Sequence, residues 1–211
     1  MPEVLPQLST YSSEQIGSVE WLFEPCWSGD RLMARVRDGR VTLSDDLGQA
    51  ADTAFAEAAR ALERLVDADE ALIDGIWTEQ LSEATPPRAS FVALDLVELD
   101  GQPLHDVPYL ERRRLLESVV HEGHRVRIST AVRMPVSSWL DAWRSNGFDF
   151  YFAKHMNSRY RPGEFAEDWL RIPIRQEKAP TPMGRLFGRL GGRPPRAGAD
   201  IGRAARGPKR R

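Results

Sequence analysis

Charge divides this chain in two, and the division decides which part can fold. From Arg175 to the C-terminus eleven Lys or Arg residues face only Glu177 and Asp200, whereas residues 1–174 carry 18 basic and 29 acidic side chains. The basic segment is rich in Gly, Pro and Ala and has few apolar anchors, so it cannot bury enough surface to offset its ordering entropy. It is expected to be disordered from roughly residue 180 onward. A packed core must therefore come from residues 20–174, with 1–19 as an N-terminal lead-in and 175–211 as the tail. Flexible basic arms attract nucleic-acid phosphates. The candidate DNA contacts are Arg185, Arg189, Arg193, Arg196, Arg203, Arg206, Lys209, Arg210 and Arg211. The same charges would also serve a solubilising tail, or one that folds back on the acidic body.

The body reads as mixed strands and helices without a regular βαβ alternation. Trp21–Glu24, Asp30–Arg37 and Arg40–Leu43 are predicted strands, the last two joined by the hairpin dipeptide Asp38-Gly39. Phe55, Ala58, Ala59, Leu62 and Leu65 give Thr53–Val66 a helical stripe, with a cap at Asp52 or Thr53. Ala71–Trp77 and Ser90–Leu99 read as strands. A helix follows over Val107–Val120, with Pro108 in its first turn and Leu110, Leu115, Leu116 and Val119 on one side. Val126–Ile128, Phe148–Ala153 and Trp169–Ile174 read as strands and Val136–Arg144 as a helix.

Several function classes drop out. No apolar run approaches about 18 residues, so no membrane-spanning helix or membrane partner is expected. The first residues lack the basic start and apolar run of a secretory signal, which makes the cytoplasm the expected compartment. A single cysteine excludes an internal disulfide and any multi-cysteine metal site. His121 and His124 sit three apart with no third ligand in view and read as a solvated turn. Trp139 and Trp143, one helical turn apart, read as core or edge residues.

Four stretches in order then become specific. Glu24-Pro25-Cys26-Trp27-Ser28-Gly29-Asp30-Arg31 is followed by Leu72-Ile73-Asp74-Gly75-Ile76. The run Phe91–Gly101 precedes Tyr109-Leu110-Glu111-Arg112-Arg113-Arg114. The last stretch holds Asp149, Phe150 and Lys154, then Ser158, Tyr160, Pro162 and Gly163, then Asp168–Ile172. Together they resemble the adenylation domain of ATP-dependent DNA ligases, with its E-P-K-W-D-G-x-R, L-x-D-G-E, E-G-x-x-x-K and W-L-K-I-K motifs. The resemblance implies an α+β fold of antiparallel sheets with flanking helices around a nucleotide-type cleft. It implies ATP and Mg²⁺ as cofactors and DNA as substrate. In the family a lysine amine attacks the α-phosphate of ATP, pyrophosphate leaves, and the AMP passes to a DNA 5′-phosphate before the nick is sealed.

The sequence departs from that pattern where the chemistry sits. Cys26 stands at the lysine nucleophile and Ser28 at the following aspartate. Ile76 replaces the D-G-E glutamate, and Asp149 with Phe150 replaces the glutamate–glycine pair, leaving Asp149 as the candidate metal ligand. Asp45 takes the place of a phosphate-side arginine in the S-R-x-G segment, and Leu94 that of the adenine-stacking aromatic. Arg171 and Pro173 stand at the two W-L-K-I-K lysines. By resemblance, Glu24 is the adenine-recognising position, and Arg31, Lys154 and Arg171 are nucleotide contacts. Asp74, Gly75, Gly29 and Gly101 read as turn residues. Lys154 is the only lysine of the body, since the other two are Lys178 and Lys209.

The resemblance also implies a need for a C-terminal OB-fold, which the 37 residues after Ile174 do not supply. The expected protein is a degenerate ligase-family member, an accessory module binding nucleotide or DNA in repair or recombination. An active ligase with Cys26 as nucleophile or a partner-supplied domain is the enzymatic alternative. A pseudoenzyme that binds a ligase partner without touching DNA is the third.

Overall fold

The computed structural model describes residues 3–80 and 87–175. The disorder and DNA-binding expectations for residues 176–211 lie outside them. Among the described residues no helix is long and apolar enough to cross a membrane.

Two sheets and three helices make up the fold. A four-stranded sheet runs in the order β1 (Leu8–Tyr11), β10 (Phe165–Pro173), β9 (Phe150–His155), β2 (Trp21–Pro25). A six-stranded sheet runs β4 (Arg40–Ser44), β3 (Asp30–Arg37), β5 (Glu70–Thr78), β6 (Ser90–Leu99), β7 (Gln102–Pro103), with β8 (Val126–Ile128) also on β6. The expected α+β class holds. Pairing is antiparallel except for β1 with β10 and β6 with β8, which run parallel. β1 comes from the stretch read as a lead-in, whose Leu8–Tyr11 is too short to show a clear period.

The predicted hairpin forms between β3 and β4, and both Asp38 (φ 51°) and Gly39 (φ 72°) take the left-handed conformation that a tight two-residue turn requires. Helix α1 (Ala56–Leu65) starts later than expected and has no side-chain cap. The carboxylate of Asp52 instead accepts the Leu43 N–H at 2.6 Å, which ties the helix approach to β4. Helix α2 (Tyr109–Val119) begins directly after Pro108, and α3 spans Ser137–Ser145.

Alternation along β3 and β5 sorts the core. Leu32, Ala34, Val36, Ala71 and Ile73 join Ala58 and Leu62 of α1 and Leu116 of α2 on one face of the six-stranded sheet. Arg31, Met33, Leu72, Asp74 and Ile76 occupy the opposite positions, where Met33, Leu72 and Ile76 enter the two other cores. A second core joins Phe23, Tyr151 and Ile172 with α3 and with Ile76, Val92 and Leu94. A third gathers Leu22, Met33, Leu72, Tyr109, Tyr160 and Trp169. Trp143 is buried while Trp139 is 42% exposed, so only one member of that pair is core.

Two turn assignments need correction. Asp74 and Gly75 lie inside β5, not in a turn. A Cβ on Gly75 would stand 2.3 Å from the Phe91 ring and 2.8 Å from the Val92 carbonyl oxygen, so glycine is required there by a close approach. Gly29 is similar, because a Cβ would meet the Trp77 carbonyl oxygen at 2.3 Å.

Candidate functional site

The four-stranded sheet builds one wall of the site by register. Glu24, Phe152 and Arg171 lie side by side across β2, β9 and β10, and Leu22, Lys154 and Trp169 form the next row. Period-two alternation puts both rows on one face, opposite Phe23 and Tyr151.

The inner half of the site is fully buried. Lys154 Nζ stands 3.0 Å from Glu24 Oε1, with side-chain exposures of 1% and 0%. The Tyr109 hydroxyl donates to the same oxygen, and Arg113 Nη1 lies 3.9 Å from it. The ammonium also donates to the Leu94 carbonyl at 3.4 Å. It sits 4.4 Å from the Trp169 ring centroid and 4.8 Å from that of Tyr109, a cation–π enclosure. Beside it, Arg112 makes a two-pronged contact with Asp95 at 3.0 and 2.8 Å, and both side chains are completely buried.

Burial pushes the Glu24 carboxyl up, but Lys154, Arg113 and the Tyr109 hydroxyl outweigh it and hold the group below its ordinary value. Burial lowers the Lys154 ammonium, against the opposing pull of Glu24 and Asp95. A depressed carboxyl contributes stability that is present above its unfolded-state value of 4.5 and is lost as pH falls through the lower folded-state value. Urea midpoints recorded downward from pH 6 are therefore expected to fall more steeply below about pH 4.5 for the natural protein than for Glu24→Gln. Parallel curves would show that Glu24 is not ionised in the fold.

The outer half is more open. Cys26 follows β2 and is half-buried, with its N–H on the Phe150 carbonyl at 3.1 Å. Burial pushes its thiol up, and the nearby Arg171 and Arg31 guanidinium groups only partly oppose this. Arg171 is exposed and lies over the Phe150 ring, 3.9 Å from its centroid. Arg31 is committed elsewhere. Its fork grips Asp74 at 2.5 and 2.6 Å, and Asp74 also accepts the Tyr160 hydroxyl at 2.9 Å. Burial would lower the Arg31 guanidinium, but Asp74 more than compensates and raises it.

The departures from the motif pattern have structural roles here. Ile76 and Leu94 are core residues. Ser28 bonds Gln80 Oε1 through both its N–H and its hydroxyl. Asp45 accepts the N–H groups of Leu47 and Gln49, closing the turn after β4. Asp149 is exposed at the start of β9. Among the described residues no three His, Cys, Asp or Glu side chains converge to hold a metal. A single carboxylate at Asp149 would serve Mg²⁺ only with phosphates supplying much of the remaining coordination.

Adenine finds one matching atom. Glu24 Oε2 is buried without a hydrogen-bond partner, and such an acceptor suits an amino-group donor. Arg113 Nη1 is likewise without one. A base reaching Glu24 must move Tyr109 or Lys154, since all three side chains are buried against one another.

Residues 78–172 match the family model for the ATP dependent DNA ligase domain. The crystal structure of the ligase domain from M. tuberculosis LigD superposes with a TM-score of 0.64 at 25% identity, covering 80% of this chain and 58% of that one. These matches support an ATP-dependent DNA ligase adenylation domain. The region that resembles the ligases is the adenylation domain. The multifunctional non-homologous end joining DNA repair protein LigD of Mycobacterium tuberculosis H37Rv is 25% identical over 184 residues, 79% of this chain and 23% of that protein. A DNA ligase of Thermococcus onnurineus is 31% identical over 98 residues, 44% of this chain and 17% of that protein. The chain thus spans about a quarter or less of these curated relatives. The Chlorella virus DNA ligase-adenylate shares the fold, with a TM-score of 0.58 at 15% identity over 81% of this chain and 67% of that one.

Of the expected site residues, Glu24 and Lys154 come together in the buried half, and Cys26 lies near Arg171 and Arg31 in the more open half. Sequence reasoning missed Tyr109, Asp95, Arg112, Arg113 and Tyr160. The expected apolar side of α2 was Leu110, Leu115, Leu116 and Val119, yet Tyr109, Arg112, Arg113, Leu116 and Val119 are the buried ones. A signal was present: Asp95 interrupts the apolar run Phe91–Leu99, and Arg112 keeps the helical spacing of Leu116 and Val119. A charge at a core position calls for a buried partner.

Proposed function

We propose that this chain is a non-adenylylating ligase-family module of DNA repair, which binds DNA without forming a covalent nucleotide intermediate. The observation that carries the reading is Cys26. It occupies the position of the nucleophilic lysine, half-buried, with a thiol kept protonated by its surroundings. A protonated thiol is a poor nucleophile. The one lysine of the body cannot substitute, because Lys154 is buried and paired with Glu24. The family's motif aspartate, D-G-E glutamate and motif glycine stand here as Ser28, Ile76 and Phe150. DNA contact is assigned to the basic segment from Arg175 onward, whose Lys and Arg residues would displace counterions from phosphates. ATP, with Mg²⁺, remains the nucleotide this cleft would admit non-covalently, through Glu24 Oε2 and Arg171.

Incubation of the full chain with α-labelled ATP and Mg²⁺ or Mn²⁺, followed by denaturing electrophoresis, tests the reading. No label is expected on the natural protein. Label that disappears in Cys26→Ala would establish a cysteine-linked adenylate and overturn it. The Cys26→Lys variant is expected to stay unlabelled as well, since Ser28 and Ile76 lack the family's carboxylates. Label on that variant alone would show a competent pocket that lost its chemistry at one residue, which keeps the natural chain non-adenylylating.

A further inference from the structure

On the face of the six-stranded sheet away from Arg31 and Asp74, α1 and residues 123–125 border an open pocket of about 430 Å³. That size lies within the usual range for small-ligand sites. Ala61 and Leu65 supply apolar lining, and Arg60, Arg64, His124 and Arg125 bring the basic groups. Glu57 is the only acid among the lining residues.

The walls are fixed by backbone contacts. The His121 N–H donates to the Leu65 carbonyl at 2.7 Å, and the Asp67 N–H to the Val119 carbonyl at 2.7 Å. Gly123 lies directly on Leu65, where a Cβ would stand 3.0 Å from Leu65 Cδ1. The helix holds Arg60 and Arg64 one turn apart, a like-charge spacing that works against the helix itself. Glu57, three residues before Arg60, is placed to relieve it. Instead its carboxylate pairs with Arg125 Nη1 at 2.9 Å, a nitrogen also bonded to the Ala89 carbonyl at 2.9 Å. Arg60 and Arg64 form no ion pair with any described residue. The lining thus carries a net positive charge on a body where acids outnumber bases 29 to 18.

We propose that this cavity is a second phosphate-binding site, remote from the cleft, that takes a nucleotide phosphate between Arg60, Arg64 and Arg125. Guanidinium forks suit phosphate oxygens by shape as well as charge, and the Ala61–Leu65 lining offers an apolar surface to the attached sugar or base. The site does not depend on whether the cleft adenylylates. The phosphate belongs either to a DNA strand or to a free nucleotide, and the two sources separate in solution.

The test is amide NMR of the full chain, titrated separately at fixed ionic strength with inorganic phosphate, AMP and a short 5′-phosphorylated DNA oligonucleotide. Saturable shifts are expected at the Gly123 and Arg125 amides. Affinity should weaken about tenfold or more in Arg60→Gln/Arg64→Gln, which removes two charge-assisted contacts. Both side chains are exposed, and unchanged β5 resonances would confirm an intact fold. Saturation by phosphate or AMP supports the site with a free nucleotide as ligand, and saturation by the oligonucleotide alone supports it with a strand. No saturable shift with any probe, or equal affinity in the double variant, overturns the proposal. Because the readout is local, DNA binding by the basic segment does not imitate it.

Discussion

Replacing Lys154 with methionine is expected to lower the unfolding free energy by about 3–5 kcal/mol, the usual cost of leaving one member of a buried ion pair alone. Glu24 would remain at zero exposure with only the Tyr109 hydroxyl and a more distant Arg113 to support its charge. Glu24→Gln/Lys154→Met is expected to recover most of the loss, because the remaining amide still accepts from Tyr109 and no unpaired charge stays inside. Urea unfolding with free m-values measures this and shows whether the denatured state has changed. A loss under about 1 kcal/mol, the range of exposed pairs, would mean that water reaches the pair and the cleft is open in solution. That result would also weaken the case against Lys154 as a nucleophile, since its inaccessibility rests on this burial.

Arg112→Leu is expected to cost a similar amount, about 3–5 kcal/mol. The guanidinium holds Asp95 with two bonds and reaches two carbonyls besides, Val107 at 2.6 Å and Ser158 at 3.0 Å. One side chain thereby joins β6, the entry to α2 and the segment after β9. Burial already keeps the Asp95 carboxyl above its ordinary value against the pull of Arg112, so losing the partner leaves a poorly solvated acid. Arg112→Lys keeps the charge but not the fork, and is expected to lose about 2 kcal/mol, the worth of a charged hydrogen bond. Hydrogen exchange should place the new opening at Tyr109–Arg112 rather than across β3 and β5. If Arg112→Lys proves as stable as the natural chain, the pair acts as a simple charge contact and the fork is not needed.

These two clusters explain why the site was only half legible in the sequence. The motif positions were readable because each lies on a short strand or turn with its own local pattern. Glu24 and Cys26 share the β2 stretch, Lys154 lies near the end of β9, and Arg171 precedes Ile172 on β10. Their roles were not readable. Arg31 read only as a nucleotide contact, and nothing in the sequence showed that two of its guanidinium nitrogens hold Asp74, 43 positions along the chain. Asp74 looked like a turn acid because a lone acid before glycine reads so locally, yet it lies fully buried in a central strand.

By itself, the sequence determined the elements and the resemblance to the ligase adenylation domain. Alternation and helical spacing located all ten of the longer elements that the structure shows from β2 to β10, with boundaries off by four residues at most, and Asp38-Gly39 set the β3–β4 hairpin. The substitution of Cys26 for a lysine is likewise a property of sequence alone. Tertiary structure decided which charges are free and which are spent. Glu24 meets Lys154, Asp95 meets Arg112 and Asp74 meets Arg31 only when the strands pair and α2 closes on the sheet. Burial then sets their charge and reach, because the cost of an ionised group depends on partners that chain order does not display. The basic cavity over α1 has the same origin: Arg125 becomes a neighbour of Glu57 across 68 positions of chain, and that contact leaves Arg60 and Arg64 facing solvent with their charge unspent.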